Sequence, residues 1–438
     1  MSDGGDLAAR ARGIYAAAVA AADPAAFVRS ALAGALAPNA PDARRWHWII
    51  AIGKAAPAMA GAAVAMCAAG SRAVAGGLVV GAAEVARVDA GLEYLAGDHP
   101  VPGARSARAA AALAALCDEV GDDDEALVLV SGGASSLVGA PVAGVPFADL
   151  ATLNAMLLSS GIDIVHMNIA RKRFSCWGAG RLAAALAPAI VRPILLSDVP
   201  GDELAAIGSG PCAPDPTTAG EVEAILRHAG IARRLPLSIA SHLGAVRAGV
   251  LPETPKAGSQ VFTHVRRSVV GGNQAALTAA ARCATGMRIG RVVVDERPLT
   301  GDAADAGRAI ARAALAAEAG TCVVLGGETT VTLPGPHGTG GRNQQLALAA
   351  AEVLHLAGHA APPVVILAAG TDGRDGPTDA AGALVMNDTW SRIRGAGLDP
   401  GAHLARCDAY PALDAARALE RTGPTGTNVA DIVVALTG

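Results

Sequence analysis

Short apolar runs alternate with alanine-rich segments of helical periodicity along almost the whole chain of 438 residues. Strands are expected at Trp46–Gly53, Gly77–Gly81, Ala126–Val130, Pro193–Ser197, Gln260–Val270, Arg291–Val294, Cys322–Leu325 and Val364–Ala368. Helices are expected between them, for example at Ser106–Glu119, Thr218–Gly230, Asn273–Thr285 and Asp302–Glu318. Because parallel strands need crossover connections that are usually helical, this alternation predicts an α/β fold with largely parallel sheets.

The chain is longer than a single hydrophobic core usually supports, which predicts two domains. The segment Val250–Gly258 has two prolines and no periodicity, so a boundary is expected there. A polar extension at Glu328–Leu333 and an apolar run at Asp431–Leu436 indicate a mixed sheet in the second half. We therefore expect an N-terminal α/β domain at 1–250, with a Rossmann-like parallel sheet and flanking helices, and a C-terminal mixed-sheet α/β domain at 258–438.

Composition and charge exclude several classes of protein. The formal net charge of −4 gives no basic footprint for nucleic acid, and the apolar segments are too rich in glycine and alanine for a membrane span. Seven scattered cysteines without a CxxC pattern are typical of reduced thiols in the cytosol. Because Met1–Arg12 lacks the basic and apolar regions of a signal peptide, we expect a cytoplasmic protein without membrane or nucleic-acid partners. Whether the protein forms a homo-oligomer is left open.

Two glycine motifs in the second half, Gly326–Thr330 and Gly340–Gln344, flank a short turn. The first ends an expected strand and the second opens an alanine- and leucine-rich helix. Glycine N–H groups and the positive end of a helix dipole favour an anion, and Arg342 adds a permanent forked charge at the same point. The pair of motifs predicts a site for phosphate or carboxylate rather than for an apolar ligand.

Two motifs in the first half also follow expected strands. Ligands of open α/β sheets bind at strand ends, so Lys54 is placed to direct its ammonium toward a phosphate, although a surface lysine explains the position equally well. The motif is not a Walker A sequence, since Trp48 stands where the first glycine is required. The second motif, Ser131–Ser136, has more glycines and serines than a plain turn needs, which favours an anion-binding nest.

Acidic residues follow two further strands. Asp198 and Asp202 come after an apolar run, and their oxygens are the kind of ligand that Mg²⁺ prefers. Asp372 lies in the loop after the strand at Val364–Ala368 and is the best-placed general base or metal ligand by position. Asp215, by contrast, is expected to serve turn and helix-cap chemistry. In the loop Asp98–Pro100, His99 either binds substrate or occupies a turn.

Taken together, the motifs resemble those of the type-2 glycerate kinases, the family with a MOFRL C-terminal domain, some members of which are labelled hydroxypyruvate reductase. The matching stretches run in the family's order over nearly the whole chain: Gly53–Ala56, Gly97–Pro102, Ser131–Leu137, Asn168–Ser175, Ser197–Asp202, Gly208–Thr218, Gly271–Asn273, Gly326–Leu333, Gly340–Ala347, Gly370–Gly382 and Thr422–Asn428. The resemblance implies ATP-dependent phosphorylation of D-glycerate, most often to 2-phosphoglycerate, with the active site in a cleft between two α/β domains.

The resemblance also implies roles for individual residues. The family's important lysine falls on Lys54 and its arginine on Arg342, and we expect both to act in catalysis with Asp198 and Asp372. Residues expected to bind substrate or nucleotide are Ser131, Gly132, Gly133, Ser135, Asp202, Glu328 and Asn343. ATP and Mg²⁺ are the expected cofactors, with Asp198 and Glu328 as the metal ligands.

Three positions depart from the family's pattern: Gly178 replaces a usual lysine, His166 a common glutamate and Ala134 a glycine. The missing lysine and glutamate have two explanations. Either they formed a structural pair that was lost together, or their loss marks an altered substrate or a lost activity. Two alternatives therefore stand beside the kinase. One is an oxidoreductase acting on hydroxypyruvate or tartronate semialdehyde, against which the absence of a GxGxxG motif after a strand argues. The other is a non-catalytic binder of small acids.

Overall fold

The computed structural model describes residues 3–36, 47–82, 91–99, 101–199, 201–358 and 360–438. Trp46, Pro100 and Pro200, which belong to the expected strand and loop motifs, lie outside the described residues. The chain forms two compact units. The N-terminal unit comprises Pro24–Ser197 and Asp202–Val270, and the C-terminal unit comprises Met1–Asp23, Asp198–Gly201 and Gly271–Gly438.

The first helix, α1 (Asp3–Ala21), belongs to the C-terminal unit although it opens the chain. The Tyr15 O–H donates to the Gly370 carbonyl at 2.7 Å, and Arg12 Nε donates to Glu420 at 2.8 Å. The units therefore differ from the expected ranges 1–250 and 258–438 at the N-terminus, and they also divide near Val270 rather than within 250–258. A helix can bury its apolar residues against either sheet, so only tertiary packing decides to which unit α1 belongs.

A parallel sheet forms the centre of the N-terminal unit, as expected. Its strands are β1 (His47–Ile52), β2 (Val74–Gly81), β3 (Glu93–Ala96), β4 (Glu125–Val130), β5 (Ile190–Leu196) and β6 (Val269–Gly271). They are arranged in the order β3-β2-β1-β4-β5-β6, with β1 parallel to both β2 and β4. β4 is buried along its whole length, which is why it reads as a continuous apolar run. The strand order reverses between β1 and β4, where ligands of such sheets bind.

Four helices of the N-terminal unit share an apolar core that is separate from the sheet. The helices of this unit are α2 (Pro24–Leu32), α3 (Ala56–Ala69), α4 (Ala104–Glu119), α5 (Ala134–Leu137), α6 (Phe147–Ser159), α7 (Ile164–Arg173), α8 (Arg181–Leu186), α9 (Ala219–His228) and α10 (Leu237–Arg247). Helices α6, α7, α9 and α10 enclose an apolar core of their own, which includes Leu153, Phe174 and Val222. α9 begins with a capping box between Thr218 and Glu221, so its start could be predicted from sequence.

The C-terminal unit contains the expected mixed sheet. Its strands are β7 (Arg291–Val294), β8 (Thr321–Gly327), β9 (Val364–Gly370), β10 (Gly382–Met386), β11 (Leu419–Glu420) and β12 (Asp431–Thr437), in the order β11-β10-β9-β12-β8-β7. β7 is parallel to β8, whereas β12 is antiparallel to both β8 and β9. Asp431, the first residue of β12, consequently pairs with Gly327 on one side and Gly370 on the other. It therefore stands between the loops that carry Glu328 and Asp372.

Small residues let the helices of this unit pack closely. After α1 they are α11 (Asn273–Gly286), α12 (Ala303–Ala316), α13 (Arg342–Leu356), α14 (Thr389–Gly395), α15 (Pro400–Ala405) and α16 (Ala409–Ala415). A Cβ on Gly307 of α12 would lie 2.1 Å from the Leu346 carbonyl oxygen of α13, so the two backbones nearly touch. Within the described ranges, no helix is long and apolar enough to cross a membrane.

One strand expectation, Gln260–Val270, is wrong over most of its length. Gln260–Thr263 forms a turn of 3₁₀-helix, in which the Thr263 hydroxyl donates to the Gln260 carbonyl at 2.7 Å, and only Val269–Gly271 is a strand. The polar extension at Glu328–Leu333 forms no regular strand, but Thr330 makes a parallel bridge with Asp302. Side-chain to backbone hydrogen bonds of threonine compete with sheet pairing in such short polar segments.

Candidate functional site

In the N-terminal unit, the turn after β1 contacts the loop after β4. The Lys54 N–H donates to the Gly132 carbonyl at 2.9 Å, and the Ala55 N–H donates to Ser131 Oγ at 3.1 Å. Gly53 has φ of +138°, and a Cβ there would lie 2.1 Å from Ser131 Oγ, so only glycine permits this approach. The backbone of Lys54 is thereby fixed beside the serine loop, while its side chain is exposed.

The residues of the serine loop, Ser131–Ser136, have different surroundings. Ser131 is 2% exposed and accepts the Ala55 N–H, so its hydroxyl stabilises the contact between the two turns rather than facing a ligand. Gly133 has φ of +89°, which turns the chain into α5. Ser135 is exposed and presents its hydroxyl at the surface of the loop. Of the expected hydroxyl ligands, Ser135 is the one that the fold leaves accessible.

His99 reaches the same loop from the end of β3. A Cβ on Gly133 would lie 3.0 Å from His99 Cδ2 and 3.6 Å from Lys54 Cγ, so both side chains flank this glycine. Burial, together with the positive charge of Lys54, lowers the pKa of His99 and keeps the imidazole neutral at pH 7. The sequence left the role of His99 open. The structure places its side chain beside Gly133 and Lys54, a contact between loops that are distant in sequence.

Asp98 holds the backbone next to His99 in place. Its Oδ1 accepts from Arg105 Nε at 2.8 Å, and its Oδ2 accepts from the Arg105 N–H at 2.9 Å. The Asp98 N–H donates to Ser106 Oγ at 2.9 Å. These contacts tie the loop to the first turn of α4, so His99 stands on an anchored rather than a free turn.

The expected carboxylates after β5 belong to different units. Asp202 lies in the N-terminal unit, is half-buried and has φ of +52°, a conformation that a residue with a side chain rarely adopts. Asp198 belongs to the C-terminal unit, where its negative charge acts on Glu328. Asp215 is a buried turn residue, as expected: it accepts from the Thr217 N–H at 3.1 Å and also pairs with Lys172 at 2.9 Å.

In the C-terminal unit, Arg342 is the first residue of α13 and is held by two carboxylates. Its Nε and Nη2 donate to Asp431 at 2.6 and 3.0 Å, and its Nη1 donates to Glu328. Asp431 is 3% exposed and receives the guanidinium in a forked arrangement, the stronger kind of charged hydrogen bond. Although burial opposes it, the hydrogen bonds and charge of Asp431 raise the pKa of Arg342.

Glu328 carries the more accessible of the two carboxylates, with a side chain that is 43% exposed. Partial burial and the negative charges of Asp431 and Asp198 raise its pKa, while Arg342 acts in the opposite direction. Burial is the largest of these effects, and the charge of Arg342 outweighs that of either aspartate. A cation bound beside Glu328 would further stabilise its ionised form.

Asp372 lies at the end of β9, close to the same group. Its Oδ1 accepts from the Arg374 N–H at 3.0 Å. A Cβ on Gly370 would lie 3.1 Å from Asp372 Oδ1 and 3.4 Å from Asp431 Oδ1, so the two carboxylates approach one strand end. The structure thus brings together the expected residues Arg342, Glu328, Asp198 and Asp372, with Asp431 among them.

The start of α13 is already occupied by a carboxyl group of the chain itself. Asp375, 3% exposed, accepts from the backbone N–H groups of Asn343 at 3.1 Å and Gln344 at 2.8 Å. The Asn343 side chain is 1% exposed and also donates to Asp375, at 3.3 Å. An internal carboxyl group thus occupies the N–H groups and the Asn343 side chain that were expected to receive a ligand, so a ligand there would have to displace Asp375. The ligand-binding role of Asn343 stays a prediction. The Arg342 side chain projects from this helix start to Asp431 and Glu328.

The carboxyl group of Asp375 has a raised pKa. Burial raises its pKa to about 7, although the N–H groups of Gln344 and Asn343 stabilise the ionised form. Asp375 and Asp431 were both absent from the expected site. Asp375 was not distinguishable from the other acids of the loop at 370–382, and Asp431 was seen only as the start of a strand.

The departures at His166 and Gly178 have local settings in the N-terminal unit. His166 occupies the first turn of α7, where its backbone N–H donates to the capping residue Asp163 at 3.0 Å and its ring pairs with the same carboxylate. Gly178 is crowded, since a Cβ there would lie 3.2 Å from Cβ of Ser209 and 3.3 Å from Cβ of Ser175. His166 has a structural role at the start of α7, because it contacts the capping residue Asp163. An effect of Gly178 on the choice of substrate stays a prediction.

Two family models match the chain. Residues 10–244 match a family described as a domain of unknown function (DUF4147), and residues 321–431 match the MOFRL family. The first match alone covers more than half of the 438 residues.

Relatives and solved structures agree with these matches. The D-glycerate 2-kinase of Thermotoga maritima is 37% identical over 350 residues, which are 78% of this chain and 79% of that protein. A protein of Agrobacterium vitis with a provisional hydroxypyruvate reductase name is 38% identical over 99% of this chain and 95% of its own. The crystal structure of glycerate kinase from Thermotoga maritima covers 99% of this chain and 100% of its own, with a TM-score of 0.85 and 33% identity.

Proposed function

The chain belongs to the type-2 glycerate kinase family, and we propose on that premise that it transfers a phosphoryl group from ATP to D-glycerate, giving 2-phosphoglycerate. The observation that carries the proposal is the group of Arg342, Asp431 and Glu328, in which a fixed guanidinium meets an accessible carboxylate. Phosphoryl transfer depends on alignment and charge neutralisation more than on covalent chemistry. Arg342 supplies a fixed positive charge, and the carboxylates beside it would hold a cation that supplies the remaining positive charge.

Arg342 and Lys54 are the proposed cations of the reaction. Arg342 keeps its direction because Asp431 receives its Nε and Nη2, so its charge can stabilise the transferring phosphoryl group without reorganising. Lys54 stands at the end of β1 with an exposed side chain beside the serine loop. We assign it to the carboxylate of the hydroxy acid or to a phosphate. The cleft expected between the domains stays a prediction.

Two side chains can accept the proton of the reacting hydroxyl. Asp372 is half-buried just after the end of β9, and its Oδ1 approaches the same strand end as Asp431 Oδ1. His99, in the N-terminal unit, is neutral at pH 7 because burial and Lys54 lower its pKa. We propose Asp372 as the base. Asp372→Asn should then abolish most turnover, while His99→Gln should chiefly raise KM; the reverse pattern would assign the proton to His99.

Asp198 and Glu328 fit a magnesium ion. Burial, with a smaller contribution from the charge of Asp198, raises the pKa of Glu328, and a cation bound to both carboxylates would counter the two effects. In the part of the chain that the structure describes, no three His, Cys, Asp or Glu side chains form a metal-binding group. Magnesium in kinases needs no such group, since one or two carboxylates and the substrate phosphates hold it. When bound, it would neutralise the phosphate oxygens of ATP.

The name of the Agrobacterium vitis relative favours a second candidate, reduction of hydroxypyruvate. The turn after β1 argues against it. In dinucleotide-binding folds that turn carries a GxGxxG motif, whereas here it reads Gly53-Lys54-Ala55-Ala56. The lysine and the adjoining serine loop suit an anion, but the turn has too few glycines for a pyrophosphate to approach the backbone.

Product identification separates the two functions. The protein is incubated with ATP, Mg²⁺ and D-glycerate, and phosphorus NMR is expected to show 2-phosphoglycerate and ADP in equal amounts. In parallel, hydroxypyruvate is supplied with NADH or NADPH, and no change in nicotinamide absorbance is expected. Oxidation of NADH or NADPH without formation of a phosphoester would overturn the kinase proposal in favour of the reductase.

A further inference from the structure

A second serine, Ser209, contacts the serine loop from the segment that follows Asp202. Its Oγ lies 2.6 Å from Oγ of Ser135, a hydrogen bond in which either hydroxyl can be the donor. The segment packs against the end of β4, since a Cβ on Gly208 would lie 2.6 Å from Val130 Cγ1 and 3.4 Å from Ala134 Cβ. Ser209 therefore lies at the same strand end as the serine loop.

The backbone around Ser209 is in a costly conformation. Gly208, Ser209 and Gly210 have φ of +56°, +69° and +62°, three consecutive residues in the left-handed region. Glycine adopts such angles freely, but serine does not. A glycine at position 209 would relieve this strain, yet the chain has a residue with a hydroxyl there.

The backbone of Ala179 and Gly180 stabilises this conformation by hydrogen bonds. The Ala179 N–H donates to the Ser209 carbonyl and the Gly180 N–H donates to the Gly210 carbonyl, both at 2.8 Å. Ala179 itself has φ of +56°. Two strained segments thus hold each other, and the result is that the Ser209 hydroxyl points at Ser135. Strain that the surroundings maintain in this way is concentrated at binding sites.

The two hydroxyls leave one donor for a ligand. Each serine has one O–H and two acceptor lone pairs, and the bond between Ser135 and Ser209 uses one of the two hydrogens. Ser135 is exposed and Ser209 is half-buried, so the remaining O–H can reach solvent. Lys54 stands beside Gly133, two residues before Ser135, and gives this surface a positive charge. A hydroxyl donor next to a cation suits an oxyanion.

We propose that Ser135 and Ser209 together bind an oxyanion of the reactants at the carboxyl end of β4. The inference rests on the proposed function, which supplies two sources of that chemistry, the carboxylate of the hydroxy acid and a phosphate of the nucleotide. Ser209 is then a substrate-binding residue whose strained backbone fixes the direction of its hydroxyl.

A matched pair of variants tests the proposal in the full-length protein. Ser209→Ala removes the hydroxyl and keeps the backbone conformation. Ser71→Ala makes the same change at another serine of the N-terminal unit, which is exposed and has φ of +55°. Both variants replace serine by alanine at a left-handed position, so thermal unfolding should show a small decrease in Tm for Ser209→Ala, which also loses the hydrogen bond to Ser135, and little change for Ser71→Ala.

Binding should separate the two variants. Isothermal titration with D-glycerate, ADP and inorganic phosphate is expected to show a roughly ten- to hundredfold weaker affinity in Ser209→Ala, for D-glycerate or for ADP and phosphate. A loss confined to D-glycerate identifies the carboxylate as the bound group, and a loss confined to ADP and phosphate identifies the phosphate. Ser71→Ala should bind all three ligands like the wild type.

Two results would overturn the proposal. One is an affinity for all three ligands that Ser209→Ala leaves unchanged. The other is a Tm of Ser209→Ala far below that of Ser71→Ala with all affinities reduced alike, which would mean that Ser209 only stabilises the fold. ADP formation by the wild type is measured alongside. If it is absent, the kinase proposal fails, and phosphate binding by wild type and Ser209→Ala still decides the role of the serine pair.

Discussion

The direction of the Arg342 guanidinium depends on Asp431, which receives both Nε and Nη2 and is 3% exposed. A guanidinium that can rotate presents its donors in many directions, and a small displacement of a reacting or stabilising group slows a reaction strongly. At the scale of single residues, the proposed mechanism therefore predicts that turnover depends on Asp431 as well as on Arg342.

Replacing Asp431 by asparagine should lower kcat/KM for D-glycerate by roughly ten- to a hundredfold, because an amide NH₂ cannot accept hydrogen bonds from Arg342. The free energy of unfolding should also fall by about 1–3 kcal/mol, since a partly buried charge loses its acceptor. Steady-state kinetics and urea denaturation measure the two effects. Asp388→Asn, which removes a carboxylate that is 62% exposed beside Arg392, should change neither. Equal kinetics in the two variants would contradict the role of Asp431.

Asp375 should make stability depend on pH near neutrality. Its pKa is about 7 in the folded protein and near 3.8 in the unfolded chain, so the folded state retains a proton that the unfolded state has lost. The stabilisation from that proton is complete below about pH 4 and disappears as the pH rises through 7. Relative to Asp375→Asn, the wild type should lose on the order of 4 kcal/mol of unfolding free energy over this range. Parallel curves of stability against pH would show that Asp375 does not titrate there.

The sequence could indicate only some of the residues around Arg342. Arg342 lies in a glycine motif at a helix start, a local pattern that is visible without a structure. Asp431 meets Arg342 because β12 enters between β8 and β9, a long-range pairing that no local pattern specifies. Asp375 and Asp379 read alike in the sequence, but Asp375 is buried at a helix start whereas Asp379 binds Tyr410 at the surface.

At the scale of elements, the start of α13 is built around Asp375. Gly341 precedes the helix, and a Cβ there would lie 2.2 Å from Asp375 Cγ. The carboxyl group can therefore reach the helix N–H groups only because residue 341 has no side chain. The position of Arg342 follows from this contact, since it is the next residue.

Gly341→Ala should therefore destabilise the C-terminal unit by about 1–3 kcal/mol, the usual cost of overfilling a packed site, and reduce turnover. Gly335→Ala is the matched control, because a Cβ there meets nothing within 4 Å. Hydrogen exchange across the first turn of α13 gives a local reading, and it should rise in Gly341→Ala alone. Unchanged exchange in both variants would mean that Asp375 can move aside without cost.

Long buried strands were the elements most readily predicted. β1, β4, β8 and β9 are apolar runs that lie inside a sheet, so burial alone selects their type. The strand expected at Gln260–Val270 was wrong because its threonine bonds to the local backbone instead of a neighbouring strand. The short strands β3, β10 and β11 belong to the sheet because of their neighbours, which sequence does not show.

At the scale of the whole molecule, the first helix completes the C-terminal unit. Tyr15 of α1 donates to Gly370, the last residue of β9. The Thr427 hydroxyl, in the loop before β12, donates at 2.5 Å to the carbonyl of Ala22, which follows α1 directly. Both contacts join residues distant in sequence, which is why the range 1–250 could not anticipate them.

Deleting residues 1–23 should consequently loosen β9 and β12 while leaving β1 and β4 protected. Hydrogen exchange monitored by mass spectrometry resolves these strands separately. We expect faster exchange at 364–370 and 431–437, because the deletion exposes the sheet face that α1 covers. Faster exchange confined to the N-terminal unit would contradict the assignment of α1. The expected cytoplasmic location, the absence of nucleic-acid partners and the oligomeric state stay predictions.

The most direct test of the account measures ADP release with ATP, Mg²⁺ and D-glycerate for the wild type, Arg342→Ala and Arg342→Lys. The wild type should turn over. Arg342→Ala should lose most activity, and Arg342→Lys should recover little, because a lysine keeps the charge but not the forked bonds to Asp431. Wild-type turnover that persists in Arg342→Ala would contradict the central claim that this guanidinium stabilises the transferring phosphoryl group.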